Sequence, residues 1–292
     1  GLMGMSGVYG AADDDESVAT IQAALDAGVT LFDNAEAYGG GHSEEILGRA
    51  LAGRRDEAVV TTKFGLTFRN GVMGEDGTPE NVRRSLEASL QRMAMEHVDV
   101  YFQHRVDLDT PIEETVGAMA ELVAEGKTRH IGLCEVSAAT LRRAHAVHPI
   151  AAVQSEYSFL QRRPEAELIP AVEDAGLGLM AWAPLGRGVL TGKYRGSIPS
   201  GSRAASAAEA GYVEPYLEEK PSRTVEAVCM AAKGLGRTPQ DVSLSWLLSQ
   251  HGVATAIVGP RTPAQLKELL DAQLTPLPPE IARALEDVSA PL

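Results

Sequence analysis

Cysteine is nearly absent from this chain: Cys134 and Cys229 are the only two among 292 residues. Two thiols so far apart in sequence form neither a disulfide framework nor a zinc motif. They point instead to reduced side chains and a cytoplasmic setting. Basic residues are outnumbered, 26 Lys and Arg against 40 Asp and Glu, for a formal charge of −14. That balance argues against nucleic acid or an anionic membrane as partner, because both require a basic face. A small anionic ligand needs only a local patch and is not excluded. Long apolar runs are also missing. None approaches the ~18–20 residues that cross a bilayer, and the opening GLMGMSGVYG has neither the charged start nor the apolar centre of a signal peptide. Hydrophobic residues still make up 44% of the chain, ample for a sizeable core.

Short apolar runs recur instead: VTLFD (29–33), AVVTTK (58–63), VDVYFQH (98–104), TRHIGLCE (128–135), IAAVQSE (150–156), LGLMAWAP (177–184) and VATAIVGP (253–260). They are rich in β-branched and aromatic residues and do not alternate, as strands buried on both faces of a parallel sheet do. Amphipathic stretches separate them. TPENVRRSLEASLQRM (78–93) opens with a capping Thr and Pro at the first helical position, and TPIEETVGAMAELVAEGK (110–127) has the same opening. Seven strands are clear, and an eighth is expected near Leu2 and Met3. Eight β/α units in this length predict a single α/β domain over 1–292, a (β/α)8 TIM barrel. A doubly wound open sheet is the rival, but no strand is followed by G-x-G-x-x-G opening a helix. The low-complexity stretch 195–211 is too long for an ordinary βα loop and is expected to be mobile.

In such a barrel the chemistry sits where strands end. The last residues of the runs are Asp33, Lys63, His104, Glu135 (preceded by Cys134), Gln154, Trp182 and Gly259. Asp, Lys and His at three strand mouths are costly to bury unless paired. Tyr38 follows Asp33 by five residues. A free phenol titrates near 10 and is a poor acid at neutral pH; an ammonium at Lys63 is expected to lower that value, with Asp33 holding the lysine charged. His104 can hydrogen-bond a substrate oxygen. The set suits carbonyl reduction, with Tyr38 giving a proton to oxygen, or alcohol oxidation in reverse. None of these residues carries hydride, so a cofactor must.

FDNAEAYGGGHSEEILG (32–48), TTKFG (61–65), YFQHRVDLDTPIEETVGAMAELVAEGKTRHIGL (101–133), AVQSEYS (152–158), APLGRGVLTGK (183–193) and IVGPRTPAQL (257–266) together resemble the aldo-keto reductase family over nearly the whole chain. The resemblance implies a (β/α)8 barrel that binds NADPH, or less often NADH, without a Rossmann fold. It implies a catalytic tetrad of Asp33, Tyr38, Lys63 and His104, with Tyr38 as general acid. It places Cys134, Glu135 and Gln154 at the nicotinamide carboxamide and Trp182 stacked on the nicotinamide ring. Leu185, Gly186, Arg187, Gly188 and Lys193 fall along the pyrophosphate. Gly259, Arg261 and Gln265 fall at the adenosine end, with Arg261 facing the 2′-phosphate, since a planar fork suits phosphate oxygens.

Three readings of function follow. The first is a reductase of small carbonyl compounds. The second is a cofactor-binding regulatory protein of the same fold with little turnover. The third uses Lys63 as a Schiff-base amine. Tyr9, Phe64, Phe68 and Trp182 suggest an aromatic-lined cleft for an apolar carbonyl. Gly39 to Gly41 lack the Lys-Ser/Thr of a phosphate loop. His145 and His148 lack a third ligand, and no metal is expected. Oligomeric state is not legible.

Overall fold

A computed structural model of the protein describes residues 1–7, 12–69, 72–200, 202–205 and 210–291. Tyr9 and residues 201 and 206–209 of the low-complexity stretch lie outside them. In chain order the elements are α1 (Asp14–Asp26), β1 (Leu31–Asp33), α2 (His42–Ala50), β2 (Val59–Phe64), β3 (Leu66–Arg69), β4 (Val72–Glu75), α3 (Pro79–Met93), β5 (Val98–Gln103), α4 (Ile112–Ala124), β6 (Thr128–Cys134), α5 (Ala138–Val147), β7 (Ala152–Glu156), α6 (Leu168–Asp174), β8 (Leu179–Trp182), α7 (Ala210–Val213), α8 (Glu219–Leu235), α9 (Pro239–Ser249), β9 (Val253–Ile257), α10 (Pro263–Leu270) and α11 (Pro279–Ser289). All seven apolar runs are strands. The described residues divide into two compact units: 1–154, 171–177 and 259–269 in the first, and 155–170, 178–258 and 270–292 in the second.

In the first unit β1, β2, β5, β6 and the start of β7 pair in parallel, in that order. Non-alternating runs suit these strands because both faces are covered. Tyr101 and Phe102 are neighbours on β5, and both are wholly buried. The Tyr101 ring stacks on Phe64 at 4.8 Å, and its hydroxyl donates to the Val82 carbonyl of α3 at 3.0 Å. Phe102 lies against β6 at Gly132, where an added Cβ would come within 2.3 Å of the ring. Phe64 is therefore core, not cleft lining. Phe68 is on β3, paired opposite Met73 of β4, and is 64% exposed.

In the second unit β8 and β9 pair in parallel, with a register shift between Leu179 and Met180. Helix α9 starts with a reciprocal cap: Thr238 Oγ1 accepts from the Asp241 N–H, and Asp241 Oδ2 accepts from the Thr238 N–H. Its Trp246 stacks on Phe159 at 4.0 Å and donates to Glu286 of α11 at 3.2 Å.

Four details differ from the sequence reading. Leu2 donates to the Asp33 carbonyl at 3.0 Å, but Met3–Met5 coil into a 3₁₀ turn, so no strand forms there. Thr110 does not cap α4. Its hydroxyl goes to Asp107 at 2.7 Å, a carboxylate that also takes the Gly77 and Asp109 N–H groups, and Pro111 becomes the cap residue. The β3–β4 hairpin was not anticipated, although the Asn-Gly pair at 70–71 is its sequence signal. Nor was α8, which carries Pro221 in its first turn and Gly234 near its end.

Helix α2 crosses α3 at Gly48, where an added Cβ would sit 2.4 Å from the Met93 carbonyl oxygen. Helix propensity alone favours Ala there by about 1 kcal/mol. Backbone cannot step aside as a flexible side chain can, so packing decides the sign. Gly48→Ala is expected to destabilise the fold by about 1–3 kcal/mol in urea unfolding; a gain in stability would show that the helices separate freely.

Candidate active site

The site is built around a buried ammonium. Lys63, near the end of β2, is wholly buried. Its Nζ donates to Asp33 Oδ2 at 2.7 Å, to the Asn34 carbonyl at 2.8 Å and to Tyr38 Oη at 3.2 Å. An ammonium has three N–H donors and no acceptor, so all three are satisfied. The β1–β2 register brings this about: Asp33 lies opposite Thr61, two residues before Lys63. The other Asp33 oxygen accepts from Thr61 Oγ1 at 3.0 Å and from Gln154 Nε2 at 2.9 Å. Neither link was foreseen. The Asn34 side chain ties the turn to α2, donating to the Ser43 carbonyl at 3.0 Å and accepting from the Ala35 N–H. The turn brings Tyr38 back over the lysine, 5.0 Å from ring centroid to Nζ.

Burial alone would raise the Asp33 pKa, but the Lys63 charge and the hydrogen bonds from Lys63 and Gln154 carry it below the usual carboxylate value. Burial would lower that of Lys63, but Asp33 and the Tyr38 oxygen hold it above its ordinary value. A Schiff-base amine must be neutral to attack, and this one is held charged. Tyr38 departs from the sequence reading. Its phenol is pushed up to about 12, because burial and the Asp33 charge outweigh Lys63. His104 packs edge-on to Tyr38 at 5.8 Å. Burial first, then Lys63 and Arg105, hold its pKa well below the ordinary value, so the ring is neutral. Its Nδ1 is buried without a partner among the described residues. The Cys134 thiol, buried at the end of β6, is pushed up to about 12 by burial and stays protonated.

The remaining predicted residues take varied positions. Glu135 is exposed, with φ of 50°. Gln265 Oε1 accepts from the Arg261 N–H at 2.9 Å while the Gln265 N–H meets Thr262 Oγ1, so this side chain closes the start of α10. Gly259 lies before α10 and is exposed. In the second unit Trp182 ends β8 and is half-buried. Leu185, Gly186, Arg187 and Gly188 form a tight turn with φ of 53°, 56° and 93° at the last three. Lys193 reaches back over it, its Nζ 3.1 Å from where a Gly188 Cβ would stand. Arg187 forks onto Glu156 at 2.9 and 2.7 Å, donates to the Tyr212 carbonyl at 2.6 Å, and lies 3.9 Å from the Tyr212 ring centroid. Tyr216 donates to the same Glu156 at 2.9 Å. Glu156 was missed by sequence reasoning; its place at the end of β7, two residues after Gln154, was the available signal. Among the described residues no cluster of His, Cys, Asp and Glu could hold a metal, and no helix is long and apolar enough to cross a membrane.

The geometry has relatives. The model of the Aldo/keto reductase family matches residues 1–290. The "Probable aldo-keto reductase 1" of Glycine max is 38% identical over 262 residues, 89% of this chain and 75% of that protein. Among solved structures, a glycerol dehydrogenase from Gluconobacter oxydans matches with a TM-score of 0.84 at 30% identity, covering 98% of this chain and 89% of that one. An aldo-keto reductase from Bacillus halodurans has a TM-score of 0.79 at 24% identity, covering 98% and 90%, and speaks to the fold alone. The fold these neighbours share is the (β/α)8 barrel expected from the strand–helix alternation. By family match and by curated relative, the chain belongs to the aldo-keto reductases, a family of oxidoreductases.

Proposed function

We propose that the protein reduces an aldehyde or ketone to an alcohol, reversibly, with NADPH as the favoured hydride donor and Tyr38 as general acid. The observation that carries this is the hydrogen bond from Lys63 to Tyr38. Lys63 can only donate, so the phenol oxygen accepts and the phenol proton is free to point at a substrate oxygen. With its pKa near 12, Tyr38 keeps that proton at neutral pH. It is still a stronger acid than an alcohol, so it protonates a carbonyl oxygen as negative charge develops there. Lys63 then faces the phenolate. Asp33, itself held by Thr61 and Gln154, keeps the lysine in place. Neutral His104 offers one N–H to the same oxygen.

A reduced nicotinamide supplies the hydride when bound. Within each unit, residues carry groups suited to a part of such a dinucleotide. One Gln154 amide hydrogen goes to Asp33, and its second hydrogen and its carbonyl remain for the carboxamide, beside Cys134 and Glu135. Lys193 stands over the Gly186–Gly188 turn with no carboxylate within 4 Å among the described residues, as a pyrophosphate partner would. Arg187, within that turn, is committed to Glu156. Trp182 is the candidate ring for stacking on the nicotinamide, and Arg261 for the 2′-phosphate.

Tyr38→Phe, with unchanged circular dichroism, is expected to lower kcat for aldehyde reduction by about 100- to 10,000-fold; unchanged turnover would remove the phenol from the mechanism. The pH profile follows from the raised phenol pKa. Reduction needs the protonated form, which dominates below 12, so kcat should stay flat from about pH 6 to 9. Alcohol oxidation needs the phenolate and should rise about tenfold per pH unit over that range. A reduction rate already falling at pH 7 contradicts the assignment. Titrated separately and followed by tryptophan fluorescence, NADPH is expected to bind more tightly than NADH. Arg261→Ala should bring the two together, whereas a preference that survives would move the phosphate contact elsewhere.

A further inference from the structure

The proposed chemistry leaves one charged side chain at the strand mouths without a task. Arg105 directly follows His104 at the end of β5 and is partly exposed. Its Nη1 donates to the His104 carbonyl at 2.7 Å. A guanidinium has five N–H donors, so four remain. Arg49, Arg54, Arg55, Arg83, Arg92 and Arg187 each lie within 4 Å of a carboxylate. Arg105 has no carboxylate at that range among the described residues, in a chain with 14 more acidic than basic residues. Its charge is felt at the His104 ring and at the Cys134 thiol of the adjoining strand. The bond to the His104 carbonyl folds the guanidinium back onto the end of β5, which pairs with β6. The charges of the candidate tetrad are already accounted for. Asp33 is paired with Lys63, whose three donors are spent, and His104 is neutral. The region beside the candidate acid thus holds one uncommitted positive fork.

We propose that Arg105 is a specificity-determining residue that receives a carboxylate on the substrate, so that the preferred substrates are oxo acids rather than apolar carbonyls. A planar guanidinium with donors to spare matches a carboxylate bidentately, as an ammonium does not. The expectation of an apolar cleft loses support at two of its four residues, since Phe64 is buried beneath the mouth and Phe68 stands exposed on the hairpin. The inference rests on the carbonyl-reductase reading.

The test compares matched pairs with NADPH: 4-carboxybenzaldehyde against 4-nitrobenzaldehyde, and succinic semialdehyde against butanal. In the wild type the carboxylated member should have the higher kcat/KM by about tenfold or more, carried mainly by KM, the range expected of a charge-assisted hydrogen bond. Arg105→Met should cut that ratio by about tenfold, while Arg105→Lys should retain part of it. Raising the salt to roughly 0.5 M should shrink the ratio in the wild type and not in Arg105→Met. If neutral aldehydes are reduced and the ratio is near one, or is unmoved in Arg105→Met, the inference falls and the reductase reading stands. If NADPH binds and no aldehyde of either kind is reduced, both fall.

Discussion

A lysine ammonium with no access to water is the constraint from which the rest of the site follows. Stripping such an ion of its hydration costs several kcal/mol, and the protein must return three hydrogen bonds and a counter-charge in fixed positions. Lys63 receives them from one carboxylate, one backbone carbonyl and one phenol. These acceptors come from the end of β1 and the turn just after it. The β1–β2 register, the tight turn at 34–38 and the side-chain lock of Asn34 on α2 are all needed together. A slip of one residue would turn Lys63 to the opposite face of its strand.

The same constraint sets the chemistry. Lysine charge and burial pull the phenol in opposite directions, and burial wins. This suits a proton donor. An acid with a strongly lowered pKa would lose its proton before the substrate arrived. One that keeps its proton, yet faces a fixed positive charge, gives it up when negative charge appears on the substrate oxygen. Under the proposed mechanism, Lys63 acts on the product of the proton transfer more than on the resting acid.

The strands were legible as apolar runs. Asp33, Lys63 and His104 could be picked out because each sits where such a run stops, a local property of the sequence; Tyr38 lies in the turn five residues after Asp33. Partners were not legible. Thr61 and Gln154 meet at Asp33 across 28 and 121 positions respectively. The Glu156–Arg187 fork spans 31. Only the folded chain brings these groups together. Phe64 was misplaced because alternate residues of a strand end face opposite layers, and an aromatic run does not show which. Gln265 is a different case. Thr262-Pro-Ala-Gln265 is a capping sequence in its own right, and the family-based reading of an adenosine contact obscured that local signal.

Backbone conformation adds an argument that residue identity could not supply. Four non-glycine residues among those described have positive φ: Ala94, Glu135, Ala183 and Arg187. Ala94 ends a helix, where such a conformation is common. The other three lie in turns just after β6 or β8, within the segments proposed to hold the cofactor. Each such residue costs about 1–3 kcal/mol, and persists only where neighbours over-determine it. Here they do. The Glu135 N–H is held by the Gln154 carbonyl, the Ala183 carbonyl takes the Gly186 N–H, and Arg187 is fixed by its fork on Glu156. A scaffold that needed only to close its loops would have put glycine at these positions. Keeping side chains there at that cost means that the left-handed turns aim them in directions an ordinary turn would not.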